Sequence, residues 1–138
     1  MESLGAAASV IAVIQISAKI FDLCQTYYLG VKDARKDIRR LRDEVTSLHD
    51  VLAYVAELAD APGSDNLSIL RLLNQPDGPI QQCQTELTAL AGKLETGQEK
   101  DKLRSLKWPF SSKDVAKAIA AVERSKSTFH FALTADQT

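Results

Sequence analysis

The groups in this 138-residue chain that could act chemically are two histidines, two cysteines and one run of basic residues. His49 and His130 have no carboxylate or cysteine neighbours at metal-ligand spacing, so they read as surface histidines. Gly92-Lys93 resembles the end of a phosphate-binding loop, but the upstream glycine of GxxxxGK is missing and the pair falls inside a helical pattern. No GxSxG motif is present, and no Cys/His pair has an orienting partner. The expectation is a non-enzymatic protein with no catalytic residue, cofactor or metal ion. Cys24 and Cys83 lie in apolar, helix-like surroundings and read as two buried thiols in a reducing compartment.

The basic run spans Lys32 to Arg42 and includes Arg35, Lys36, Arg39 and Arg40. Asp33, Asp37, Asp43 and Glu44 are interleaved with it, which is the pattern of a solvated helix face. The same Arg35, Lys36, Arg39 and Arg40 could meet anionic lipid headgroups, at about 1 kcal/mol per well-placed cation. No aromatic residues alternate with the cations, and the net charge is −1. Nucleic acid is therefore not an expected partner.

The element that would need such cations lies at the start of the chain. From Leu4 to Phe21 the sequence LGAAASVIAVIQISAKIF concentrates Leu4, Val10, Ile11, Val13, Ile14, Ile16, Ile20 and Phe21, and no charge occurs between Ser3 and Ala18. As a helix this run is about 27 Å long at 1.5 Å per residue, short of a hydrocarbon core of about 30 Å. Its eight large apolar side chains favour insertion by about 2 to 5 kcal/mol in sum, opposed by Ser9, Gln15, Ser17 and Lys19. Burial of each in a water-soluble core contributes about 1.5 to 3 kcal/mol, so docking in a bundle is the expected resting state. Glu2 occupies the place of a signal peptide's positive region, which argues against secretion.

The rest of the chain reads as receiving helices. The first should run from about Ser3 to Leu29 and stop near Gly30. From Val31 a heptad seam follows, Ala34, Ile38, Leu41, Val45, Leu48, Leu52, Val55 and Ala59, broadened by Val51, Tyr54 and Leu58. It should end at Ala61 before Pro62-Gly63-Ser64-Asp65-Asn66. Leu67 to Asn74 reads as a short capping helix with Leu67, Leu70 and Leu73 on one face. The next helix carries Ile80, Cys83, Leu87, Leu90 and Leu94 and should end near Gly97. Gln98 to Lys107 is a charged connector, and Trp108-Pro109-Phe110 breaks it. A last helix, capped by Ser111 or Ser112, shows Val115, Ile119, Val122, Phe129 and Leu133, with the Lys126 stem snorkelling. The expected fold is all-α: one domain over residues 1–138, an up-and-down bundle of four main helices plus one short helix.

Leu106 to Phe110, followed by Asp114-Val115, Ile119, Glu123 to Phe129 and Ala132-Leu133, resembles the C-terminal signature of fungal HeLo-like domains, with Cys83 to Leu87 and the apolar N-terminus in support. The resemblance covers essentially the whole chain, and its Trp-Pro-Phe element is its most specific part. It implies an N-terminal domain of fungal NLR-like (STAND) receptors, related to the HeLo cell-death execution domain of heterokaryon incompatibility and innate immunity. Such a domain is expected to be cytoplasmic and to become homo-oligomeric through a C-terminal NACHT or ankyrin-type region, absent here or supplied by another chain. It would then permeabilise membrane lipids with Leu4 to Phe21 and cause programmed cell death. Trp108, Pro109 and Phe110 would be structural, setting the last helix. The alternative is a homo-oligomerisation or partner-binding scaffold with no membrane activity, which the seams support equally.

Overall fold

A computed structural model describes the backbone of residues 2–60, 68–99 and 107–137, and the side chains of 8–60, 71–97 and 107–134. The chain forms α1 (Glu2–Gly30), α2 (Arg35–Asp60), α3 (Ser68–Leu73), α4 (Pro79–Glu99) and α5 (Ser112–Gln137). No strand occurs among the described residues. The expected all-α bundle of four main helices and one short one is the fold observed.

Each long helix is placed by one seam. In α2, Ile38, Leu41, Val45, Leu48, Leu52, Val55 and Ala59 are all buried, and in α4 so are Ile80, Cys83, Leu87, Leu90 and Leu94. Two expected members of the α2 seam depart from it. Ala34 lies outside the helix, exposed, in the left-handed region at a φ of 65°. It turns the chain between α1 and α2, and its carbonyl accepts the Ile38 N–H at 2.9 Å. Tyr54 is 63% exposed, because it projects to the side of α2 away from the core. In α5 Val115, Ile119, Val122 and Phe129 are buried and Leu133 is half-buried. Leu67 and the 100–106 part of the expected connector lie outside the described residues, as does the side chain of Leu70.

Local chemistry sets the starts of α4 and α5. A Cβ on Gly78 would stand 2.8 Å from the Gln75 carbonyl oxygen, so only glycine fits before Pro79 opens α4. Ser111, rather than Ser112, caps α5. Its hydroxyl accepts the Asp114 N–H at 3.1 Å, and the Asp114 carboxylate accepts the Ser111 N–H at 3.2 Å. Those hydrogen bonds hold the Asp114 carboxyl below its ordinary pKa. The freed Ser112 hydroxyl donates to Asp37 of α2 at 2.9 Å.

Packing fixes the topology. α1 lies against α2 and α4, and α5 closes the bundle against the same two helices. The Ser112–Asp37 bond places the starts of α5 and α2 together, so that pair runs parallel. The Tyr27 hydroxyl donates to the Leu94 carbonyl at 2.7 Å, joining the ends of α1 and α4, which also run parallel. The directions are up, down, up, down, yet the connection through α3 crosses the bundle diagonally, so parallel neighbours alternate with antiparallel ones.

The Tyr27 contact constrains α4 as well. A Cβ on Gly97 would run into the Tyr27 hydroxyl and stand 3.4 Å from Pro109. Gly97→Ala should therefore destabilise the domain by about 1 to 3 kcal/mol through overpacking. Tyr27→Phe should cost about 1 kcal/mol for the lost hydrogen bond. In the double variant the cost should fall below the sum, because the hydroxyl that clashes is gone. Urea unfolding of the four proteins measures this coupling.

Candidate functional site: the surface of α1 and the start of α2

The apolar circumference of α1 is divided by docking. Val10, Val13, Ser17, Ile20, Cys24 and Tyr27, spaced alternately by three and four, form its buried seam. Ser17 is tolerated there because its hydroxyl donates to the Ile14 carbonyl at 2.7 Å within the helix. Ile14, Ile16, Leu23 and Tyr28 are half-buried at the edges. Ile11, Phe21 and Leu29 remain exposed, at 48%, 37% and 70%, with Ala8 and Ala18 also outward. The bundle thus covers one side of a helix whose sequence is apolar nearly all round. The side chain of Leu4 lies outside the described residues. The segment Ala8–Gly30, 23 residues, is long and apolar enough to cross a membrane, a property that core helices of soluble proteins share.

The two halves of α1 are held differently. From Lys19 onward polar ties appear: Lys19 pairs with Glu95, Gln25 accepts from Arg42 at 3.1 Å, and the Tyr27 hydroxyl reaches Leu94. Tyr28 is covered by two guanidinium groups, Arg35 at 5.2 Å and Arg42 at 5.1 Å from its ring centre. Before Lys19 no described side chain of α1 makes a hydrogen bond or ion pair to another helix. Among the described residues, 8–18 are therefore held by apolar contact alone.

Trp108, Pro109 and Phe110 support the tied end. Trp108 is buried with its ring edge-on to Tyr27 at 5.2 Å and 79°, and Phe110 stands against it at 5.2 Å and 67°. The Trp108 Nε1 is buried with no hydrogen-bond partner among the described residues. Gly92-Lys93 lies inside α4, and the Lys93 ammonium stands 5.5 Å from the Phe110 ring centre.

All four candidate headgroup cations are exposed, and at positions i, i+1, i+4 and i+5 they spread over an arc of about 140° on the solvent side of the start of α2. Arg35 leans over Tyr28 toward α1. Arg40 approaches Asp37 at 3.8 Å, on the side where Asp37 meets α5. Lys36 and Arg39 make no ion pair among the described residues. The cluster sits beside Leu29, about 27 Å along α1 from Ile11 at 1.5 Å per residue. Cations and the untied apolar half therefore occupy opposite ends of the helix. Lys126 is half-buried, and its ammonium pairs with Glu44 at 2.9 Å.

No group of three His, Cys, Asp or Glu side chains suited to a metal occurs among the described residues. His49 is half-buried near Asp50, and His130 is exposed on a groove between α2 and α5. Both cysteines are free and buried. Burial pushes the Cys24 thiol up to about 12, against the opposing pull of Arg42, and the Cys83 thiol up to about 11. It also raises the Tyr27 phenol to about 12, assisted by Cys24. These groups are held neutral and unreactive.

The pattern of the buried seam, 10, 13, 17, 20, 24 and 27, was present in the sequence but hidden by the apolar residues around it. The anchoring role of Tyr27 and the need for Gly97 depend on a contact across 67 residues and had no local signal.

The family described as "Pigment biosynthesis cluster protein PigL N-terminal" matches residues 1–137. The chain belongs to this family. Because the match spans all five helices, the α1 seam, the cation cluster and the Trp108 wedge all fall within the family's domain. No curated protein and no solved structure matches the chain.

Two measurements test the site's chemistry. Both thiols should resist a water-soluble disulfide reagent at pH 8 in the native protein and react in full after denaturation. The folded state raises three ionisations that begin at 9 and 10 in the unfolded chain. The stability they contribute is complete below pH 9 and is lost as pH rises toward 12, because the unfolded chain releases those protons first. Denaturation midpoints across that range should fall, and Cys24→Ala should flatten the decline.

Proposed function

We propose that this domain is a non-enzymatic effector in which α1 rests docked in the bundle and is released on homo-oligomerisation to permeabilise a membrane. The observation that carries the reading is the unequal hold on α1. Among the described residues, 8–18, with Ile11 exposed and Val10 and Val13 buried, make apolar contacts to the other helices, whereas the half from Lys19 is tied by Glu95, Leu94, Arg35 and Arg42. Release would start at the N-terminus, placing Leu29 and the cations Arg35, Lys36, Arg39 and Arg40 at the headgroup level. Charge at that depth favours an anionic surface.

The resemblance to fungal HeLo-like domains supports the same reading. On it, the domain acts from the cytoplasm in a fungal NLR-like immune or incompatibility receptor, its NACHT or ankyrin-type region joined to it or supplied by another chain, and the outcome is cell death. The scaffold reading, homo-oligomerisation or partner binding without lipid contact, is favoured by the completeness of the buried seams in α1, α2 and α4.

Dye release from anionic liposomes decides between them. The wild type should leak, and Ile11→Lys should leak at least tenfold less, since a lysine near a helix centre opposes insertion by about 2.5 to 3.5 kcal/mol. Ile11 is 48% exposed, so the variant should keep the wild-type unfolding midpoint. Equal leakage removes the membrane mechanism. A stable oligomer that neither leaks nor floats with lipid selects the scaffold.

A further inference from the structure

The parallel pair α2 and α5 forms one face of the bundle with charge separated along its length. Residues 35–44 and 112–126, the first parts of the two helices, carry nine Lys and Arg against five Asp and Glu. Residues 45–60 and 127–137 carry four acids and no Lys or Arg. Since both helices start at the same end, the face is positive at one end and negative at the other. Helix dipoles favour the reverse, acids at N-termini and cations at C-termini. Folding of these helices alone does not account for the arrangement.

At the negative end lies a groove of about 630 Å³ between the helices. Val51, Leu58 and Leu133 form its half-buried floor, Tyr54 stands 63% exposed beside it, and Asp50 and Glu57 edge it. Along α2 the outward stripe reads Arg40, Asp43, Ser47, Asp50, Tyr54 and Glu57, spaced alternately by three and four. Turned end for end about a point between Leu48 and His49, the stripe complements itself. Arg40 then meets Glu57 of the partner, Asp43 meets the partner's Tyr54, and Ser47 meets the partner's Asp50. Each contact occurs twice.

We propose that this face binds a second copy of the chain, antiparallel, in a two-fold dimer that packs α2 on α2 and α5 on α5. The proposal rests on the reading that the domain works as a homo-oligomer, and it names the first contact of that assembly. Charge complementarity selects the occupant: each basic end comes to lie at the C-terminal ends of the partner's α2 and α5, where the dipoles favour cations. Size agrees. Two helices of 26 residues are each about 39 Å long, and side by side they present roughly 800 Å², the usual area per partner in a stable interface. A two-fold contact of this kind closes on itself.

Sedimentation velocity of the 138-residue chain, without lipid, tests the interface. A concentration-dependent dimer is expected at about 50 mM salt, weakened at about 0.5 M, where screening is strong. Arg40→Glu and Glu57→Arg should each weaken it about tenfold or more, since each change sets two like-charge pairs face to face. Both changes improve the match of α2 to its own dipole, so neither should unfold the protein. The double variant Arg40→Glu/Glu57→Arg, and an equal mixture of the two single variants, should dimerise again. A monomer at all concentrations, a dimer indifferent to salt and to both substitutions, or an open series of larger species overturns the proposal. Liposome leakage is read separately: leakage by wild type without a lipid-free dimer overturns this interface alone, and a dimer without leakage overturns the membrane reading alone.

Discussion

The buried hydrogen bond from the Tyr27 hydroxyl to the Leu94 carbonyl is the constraint on which the arrangement of this bundle turns. A buried hydroxyl must find an acceptor, and this one finds it on a helix 67 residues away. The ends of α1 and α4 are thereby fixed together. Gly97 lets the phenol approach, and Pro109 closes on the same glycine. Trp108 then packs edge-on against the Tyr27 ring, and Phe110 against Trp108, so the wedge before α5 is set by a residue in the last turn of α1. Four consecutive decisions of the fold meet in one aromatic cluster.

That cluster divides α1 into two regimes. Near it, polar and cation–π contacts give the helix a defined register against α2 and α4. Away from it, Val10 and Val13 contribute burial that is strong but has no directional preference. Apolar contact of that kind exchanges with lipid at little net cost, whereas the polar ties do not. A helix with both regimes has a natural point of separation near Lys19. The same division explains why Ile11 and Leu29 can be exposed without loss of the fold: the seam that docks α1 uses only one side of it.

Charge in the bundle follows function-like asymmetry rather than local helix preference. The N-terminal ends of α2 and α5 are basic although their dipoles favour acids. Within the monomer, Asp37, Asp43 and Glu44 moderate that cost through Arg40, Arg42 and Lys126. Tyr28 takes one further cation, Arg35, over its ring, beside Arg42. Lys36 and Arg39 are left to solvent, a membrane surface or another chain.

The α2, α4 and α5 seams were legible because their apolar residues recur at three and four against a polar background, a pattern that survives any tertiary arrangement. Breaks at Gly78-Pro79 and Trp108-Pro109 were legible for the same local reason, as was the α5 cap within one residue; the expected break at Pro62-Gly63 lies outside the described residues. Sequence alone therefore determined an all-α chain with four long helices and an apolar first helix. It could not determine which side of α1 is buried, because a helix apolar all round carries no phase. Tyr54 was read as broadening the α2 core, yet between Leu52 and Val55 it falls on the opposite side of the helix, in step with Ser47, Asp50 and Glu57, and it is exposed. The buried side of α1 depends on which helices become neighbours. Only the tertiary structure decided it, through the diagonal crossing at α3, the parallel pairing of α1 with α4 and of α2 with α5, and the Tyr27 contact that holds the last turn of the long first helix.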